Sequence, residues 1–221
     1  MRLILFDIDG TLLECGRQGR EIMSATLDAV FGTTGSIDRF DFAGRTDPGI
    51  VLDLLREAGI AERDILARIP EVRAKYVARL EESLDARRMR LLPGVSAHLE
   101  SLAQRDDVVL GLVTGNWEPG ARTKLSRFDL NRFFDFGAFG CDAVDRSDLP
   151  PVALERAERL TGRRFHPEEV LIVGDTIHDI SCARAHGIPV LAVATGHTTA
   201  ETLREGGADR VVADLTEIAD W

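Results

Sequence analysis

The sequence predicts a doubly wound α/β core built on a parallel sheet, interrupted near its start by an inserted helical domain. Two observations carry the core. Beyond residue 92, short apolar runs rich in branched residues, at 108–113, 170–173, 190–193 and 210–212, alternate with stretches of helical periodicity. Runs of that length suit strands buried on both faces, and the alternation suits crossover helices between them. The third observation concerns residues 14–91, where no convincing strand pattern is found and three helical patterns follow one another.

Taken in order, an apolar run leading to Asp7 makes the first strand. Met23, Leu27, Val30 and Phe31 then mark one insert helix; Ile50, Val51, Leu54, Leu55 and Ala58 a second; Val72, Tyr76, Leu80 and Leu84 a third. Pro93-Gly94 signals the return to the core. The expected division is therefore 1–13 and 92–221 for the core and 14–91 for the insert. Val95, Leu99 and Leu102 mark a core helix before the strand at 108–113, and Leu154, Ala157 and Leu160, at a strict spacing of three, mark another over 152–160. No internal repeat or low-complexity segment is found.

Composition narrows the function classes. The chain has 221 residues, 44% hydrophobic and 29% charged, enough for a core with a substantial interior. A formal charge of −10 argues against nonspecific nucleic-acid binding, which needs a basic surface to displace counterions. Three cysteines, Cys15, Cys141 and Cys182, without metal-type spacing predict free thiols rather than a disulfide framework or a zinc site. No run of about 18 apolar residues and no cleavable leader pattern is found, which predicts a soluble, cytoplasmic chain with no membrane partner.

Two acidic stretches carry the chemistry: Leu5-Phe6-Asp7-Ile8-Asp9-Gly10-Thr11, and Val173-Gly174-Asp175-Thr176-Ile177-His178-Asp179. Each follows a strand-like run, where carboxylates are costly unless paired, and a hard divalent cation is the usual partner. Asp7 and Asp9 alternate around Ile8, so in an extended backbone both point to one side and can share an ion. Gly10 permits a tight turn. Ligands of doubly wound sheets sit beyond the carboxyl ends of the strands, where Asp7, Thr114 and Asp175 all fall. Read alone, Asp175 and Asp179 also suit acidic capping of a helix N-terminus.

Together, Asp-x-Asp-Gly-Thr after a strand (Asp7 to Thr11), a strand ending in Thr-Gly-Asn (Thr114 to Asn116) and a late Gly-Asp-x-x-x-Asp (Gly174 to Asp179) resemble the haloacid dehalogenase-like hydrolase superfamily, most of whose members are phosphatases. The motifs follow the family's order and bracket nearly the whole chain. The resemblance implies a helical cap over the site, made by the insert. It implies that Asp7 attacks phosphorus to give an aspartyl-phosphate, and that Asp9 protonates the leaving oxygen and later activates water. It implies Mg2+ held by Asp7, the Asp9 backbone carbonyl and Asp175, with Asp179 beside the ion or on one of its waters. The Thr114 hydroxyl and the N–H groups that follow, Asn116 among them, would hold the phosphoryl oxygens. The ordinary alternative is that Gly115 and Asn116 only form a turn.

The family's phosphate-neutralising Lys, beside a Pro, has no counterpart in Asp145-Arg146-Ser147-Asp148-Leu149-Pro150-Pro151. Arg146 is the leading substitute, since a guanidinium binds phosphate through two parallel bonds. Lys124, in the helix after Thr114, competes, against the ordinary expectation that a Lys there is a solvated surface group. Gly44-Arg45-Thr46-Asp47 resembles the loop of phosphoglycolate phosphatase-like members that faces the site. Arg45 would then bind a substrate anion while Thr46 and Asp47 order the loop, or one of them caps the helix starting near Pro48. Arg87, Arg88 and Arg90 suit a solvated helix end better than a positive rim. The expected activity is Mg2+-dependent hydrolysis of a small, soluble, anionic phosphate ester, 2-phosphoglycolate-like. A phosphomutase of the β-phosphoglucomutase type shares the same groups. A true dehalogenase has no need of Asp9, and a metal- or phosphate-binding regulatory module needs no turnover.

Overall fold

A computed structural model describes residues 1–219. Its strands are β1 (Arg2–Phe6), β2 (Leu13–Glu14), β3 (Arg90–Leu91), β4 (Val108–Val113), β5 (Gly137–Ala138), β6 (Val170–Gly174), β7 (Val190–Val193) and β8 (Arg210–Val212). Six of them form one parallel sheet in the order β5-β4-β1-β6-β7-β8. Counted along the core alone this is 3-2-1-4-5-6, the doubly wound order whose direction reverses between β1 and β6. The register sets Phe6 opposite both Leu112 and Val173. Asp7, Thr114 and Asp175 therefore leave three adjacent strands at nearly the same level, at the switch point.

The helices are α1 (Gln18–Phe31), α2 (Asp47–Glu57), α3 (Glu62–Ser83), α4 (Val95–Ala103), α5 (Glu118–Ser126), α6 (Leu149–Thr161), α7 (Ile177–Arg184) and α8 (Ala200–Glu205). The sheet is buried on both faces. Ile4 and Phe6 join one core with Leu99, Leu102 and the insert's Leu27, Leu54 and Val72, while Leu3 and Leu5 join the other with Ala153, Ile180 and Leu203. That two-sided burial is why the strands read as unbroken apolar runs. Helices α1, α2 and α3 pack together between the short antiparallel ribbon of β2 and β3. They are fastened to the sheet by Tyr76 of α3, packed edge-on against Trp117 at a centroid distance of 5.7 Å. Among the described residues no helix is long and apolar enough to cross a membrane.

Three details differ from expectation. The buried stripe of α6 is Leu149, Ala153 and Ala157, spaced by four, while Leu160 is 54% exposed. A spacing of three falls short of a full helical turn at each step, so Leu160 has rotated off the face that Ala157 occupies. Ala58 lies outside the second insert helix as its exposed cap residue. Finally, β2, β3 and β5 have two residues each, too few to show any periodicity.

The stripe on α6 is open to test by urea denaturation. Leu149→Ala should cost about 2–5 kcal/mol, as a buried truncation does, whereas Leu160→Ala should change stability by less than about 0.5 kcal/mol.

Candidate active site

Asp7, directly after β1, and Asp175, directly after β6, are nearly closed to solvent, and Asp179 in the first turn of α7 is completely so. One oxygen from each lies within 4.8 Å of the others. Each is held from its own surroundings. Thr11 Oγ1 donates to Asp175 Oδ1 at 3.1 Å. Asp179 Oδ2 accepts from Thr176 N (3.0 Å) and Thr176 Oγ1 (2.6 Å), completing a reciprocal cap on α7. Capping and membership of the acidic cluster thus both hold for Asp179. Gly10 has a φ of +84°, and a Cβ there would fall 2.3 Å from Asp175 Oδ2, so only glycine lets the turn pass the cluster.

Against these three carboxylates stands one buried cation. Arg146 Nη2 lies 3.0 Å from Asp7 Oδ1 and 2.5 Å from Asp179 Oδ1, and Nη1 donates to the Gly44 carbonyl at 3.2 Å. With all groups ionised the cluster keeps two uncompensated negative charges. Burial accordingly pushes Asp7 up to about 6, although Arg146 pulls the other way, and burial with Asp179 and Asp7 nearby pushes Asp175 well above the usual carboxylate range. Hard oxygen donors, burial and a deficit of two positive charges are what a divalent cation fits.

Asp9 belongs to a second group. Its Oδ2 accepts from Lys124 Nζ at 2.6 Å and from Asn116 Nδ2 at 2.8 Å. Lys124 Nζ also donates to Asn116 Oδ1 at 2.6 Å, and Asn116 Nδ2 reaches Thr114 Oγ1 at 2.8 Å. An ammonium has no acceptor, so Lys124 fixes which way the Asn116 amide faces. The Asp9 carboxylate stands outside the cluster of Asp7, Asp175 and Asp179 and faces Lys124 and Asn116 instead. The extended backbone ends at Phe6, and the N–H groups of Thr11, Leu12 and Leu13 all turn back to the Ile8 carbonyl.

Lys124 also departs from its expectation as a surface group, being 5% exposed. Burial alone would push its ammonium down, but Asp9, with the Tyr76, Cys15 and Asp47 groups, outweighs it and holds the pKa well above the usual range. Lys124 lies in α5 seven residues past Trp117, and the packing of α5 against α3, which no local pattern records, buries it.

The loop at 44–49 docks on the core. Thr46 caps α2, accepting from Gly49 N at 3.1 Å, and donates to the Val144 carbonyl at 2.5 Å. Asp47 N donates to Gly115 O at 2.7 Å, and the Asp47 carboxylate, pushed up to about 6 by burial, accepts from Trp117 N at 2.8 Å. A Cβ on Gly115 would come within 2.0 Å of the Arg45 carbonyl, so this contact also demands glycine. The Thr46 hydroxyl is thereby spent on the loop, while Arg45 lines the cleft paired with Asp53 at 2.8 Å. Arg87, Arg88 and Arg90 each pair with a carboxylate, of Asp85, Glu21 and Glu14, on the exposed surface. His178 sits behind the loop against Gly44.

Between insert and sheet lies a cleft of about 530 Å³ that reaches Asp7, Asp9, Thr114, Asn116, Lys124 and Arg146. Cys15 also lines it, but burial pushes its thiol up to about 12, which leaves no thiolate for nucleophilic attack near neutral pH. The arrangement sets a buried carboxylate, Asp7, and a second carboxylate, Asp9, at one cleft with two buried cations, Arg146 and Lys124.

Several characterised sequences are similar to this chain. Phosphoglycolate phosphatase 1 of Pseudomonas aeruginosa is 26% identical over 223 residues, covering 98% of this chain and 78% of that protein. The tyrosine-protein kinase PtkA of Mycobacterium tuberculosis is 30% identical over 200 residues, covering 90% of this chain and 64% of its own length. A crystal structure of a predicted phosphatase from Clostridium acetobutylicum superposes with a TM-score of 0.75 at 18% identity, covering 98% of this chain and 95% of that one, a likeness of fold. The sequence model of the haloacid dehalogenase-like hydrolases matches residues 4–193, and the chain belongs to that family.

Proposed function

We propose that the protein is a magnesium-dependent phosphatase that hydrolyses a small phosphate monoester through an aspartyl-phosphate on Asp7. The observation that supports it most is the pairing of two differently placed carboxylates: Asp7 buried with Asp175, Asp179 and Arg146, and Asp9 held apart by Lys124 and Asn116. The similarity to phosphoglycolate phosphatase 1 supports the same reading and suggests a 2-phosphoglycolate-like substrate.

Asp7, Asp175 and the Asp9 backbone carbonyl would hold Mg2+, with Asp179 beside it. When bound, the ion would keep Asp7 ionised and offset charge on the phosphoryl oxygens. An Asp7 oxygen attacks phosphorus as the P–O bond to the leaving group breaks, and protonated Asp9 delivers its proton to the departing oxygen. Asp9, now a carboxylate beside Lys124, then takes a proton from water as that water attacks the aspartyl-phosphate. Inorganic phosphate leaves and Asp7 is restored. Thr114 and the Asn116 N–H would hold the phosphoryl oxygens, and Arg146 would position Asp7 while partly neutralising the incoming group. In this reading residues 14–91 are a cap, with Arg45 at the cleft wall and Thr46 fixing the loop that carries it.

Phosphate release from a panel of small esters with and without Mg2+ tests the proposal. Asp7→Asn should lower kcat by roughly 10⁴-fold or more; a tenth of wild-type activity surviving would remove Asp7 from the role. Asp9→Asn should cost roughly 10²–10⁴-fold in kcat, and an effect seen only in metal affinity would contradict proton transfer by Asp9. Recovery of an isomerised phosphate ester instead of free phosphate would indicate a mutase.

The raised Asp7 pKa sets a pH dependence. Its folded value of about 6 lies above the ordinary 3.8, so the metal-free fold gains stability from this group as pH falls from neutral through 6. Metal binding needs the carboxylate and therefore weakens over the same window. Mg2+ should raise Tm more at about pH 7.5 than at about pH 5; an equal rise at both would place the ion elsewhere.

A further inference from the structure

One polar group in the cleft takes no part in the chemistry above. Tyr76 of α3 is 3% exposed, with its ring held edge-on to Trp117 at an interplanar angle of 65°. That packing needs only the ring, so phenylalanine would serve it equally well. The hydroxyl lies 3.6 Å from where a Cβ on Gly19 would stand, in the cleft that Asp47, Lys124, Asp9 and Cys15 also line. Among the described residues, Tyr76 Oη has no hydrogen-bond partner. The hydroxyl opens onto the cleft, where an oxygen of a ligand can take up the bond it does not make to the protein.

The neighbours indicate which part of a ligand that is. In the phosphatase reading, on which this inference rests, Asp9 meets the ester oxygen on its leaving-group side. A donor grouped with Asp9 and Lys124, on the wall formed by the insert, faces the leaving group rather than the transferring phosphoryl. Burial pushes the phenol's pKa far above its usual value, so the group is a neutral donor throughout the physiological range. Lys124 carries three N–H donors, two of them spent on Asp9 and Asn116, and the third adds to the donor character of this corner.

We propose that Tyr76 is a specificity-determining residue whose hydroxyl donates a hydrogen bond to an oxygen on the leaving group, close to the ester oxygen. Preferred substrates are then phosphate esters of hydroxylated or carboxylated alcohols, and plain alkyl phosphates are disfavoured. A site built to bond an oxygen discriminates strongly against the analogue lacking it, since its own polar groups are left unpaired.

Ethyl phosphate, 2-hydroxyethyl phosphate and 2-phosphoglycolate present no acceptor, a hydroxyl and a carboxylate respectively, and test this with wild type and Tyr76→Phe. The readout is the ratio of kcat/KM for each oxygen-bearing ester to that for ethyl phosphate, a quantity insensitive to the amount of folded enzyme. Tyr76→Phe should lower that ratio roughly tenfold to a hundredfold for at least one of the two, and the ester affected identifies the acceptor as hydroxyl or carboxylate. An unchanged ratio for both esters, whether activity falls uniformly or not at all, overturns the assignment. Failure of the wild-type protein itself to release phosphate from any ester would overturn the phosphatase reading and this inference with it, a result distinct from an unchanged ratio.

Discussion

Three nearly buried carboxylates crowd around one guanidinium at the floor of the cleft, and the surrounding structure is arranged around that imbalance. A buried ion pair is weak support for stability even when complete, and here two negative charges remain over. Arg146 can balance only part of the cluster, and it does so from a short turn anchored to both the core and the Gly44 carbonyl. The Thr11 hydroxyl, the Thr176 cap and the side-chain-free turn at Gly10 hold the remaining oxygens in place. These contacts keep like charges together, as the proposed binding of a cation and a phosphate group requires.

The second consequence is a division between the two aspartates of the first motif. Asp7 is surrounded by carboxylates and by Arg146, whereas Asp9 faces an ammonium and an amide. Two chemically identical side chains thus stand in different surroundings, which is what the proposed division between nucleophile and proton carrier requires. The turn closing on the Ile8 carbonyl produces the separation within two residues.

Much of this was legible in the sequence, and the reasons are local. β1, β4, β6 and β7 announced themselves because burial on both faces leaves a continuous apolar run, and the acidic residues stood directly after those runs. The insert helices showed through Met23 and Leu27, Ile50 and Leu54, and Val72 and Leu80, which face one core. What was hidden depended on tertiary contact. Lys124 has the sequence surroundings of a surface residue, and only the packing of α5 beneath α3 buries it. The separation of Asp9 from Asp7 follows from a turn whose hydrogen bonds no side-chain pattern records. The α6 stripe was misplaced because Leu160 is large and apolar, while Ala153, which occupies the buried face, is small and inconspicuous.

The β2–β3 ribbon has a bearing beyond its two residues per strand. Leu13 pairs with Leu91, and Leu92 N donates to the Leu12 carbonyl at 3.0 Å, so the chain leaves for the insert and returns from it at one place. As far as the sheet is concerned, the whole excursion has almost no span. Changes at cleft-facing positions of the insert, away from the core it shares with Ile4 and Phe6, can therefore alter the roof of the cleft without displacing the strand that presents Asp7. Such an architecture lets one hydrolytic centre be retuned to new compounds over evolutionary time, with selection acting on the roof while the floor stays unchanged.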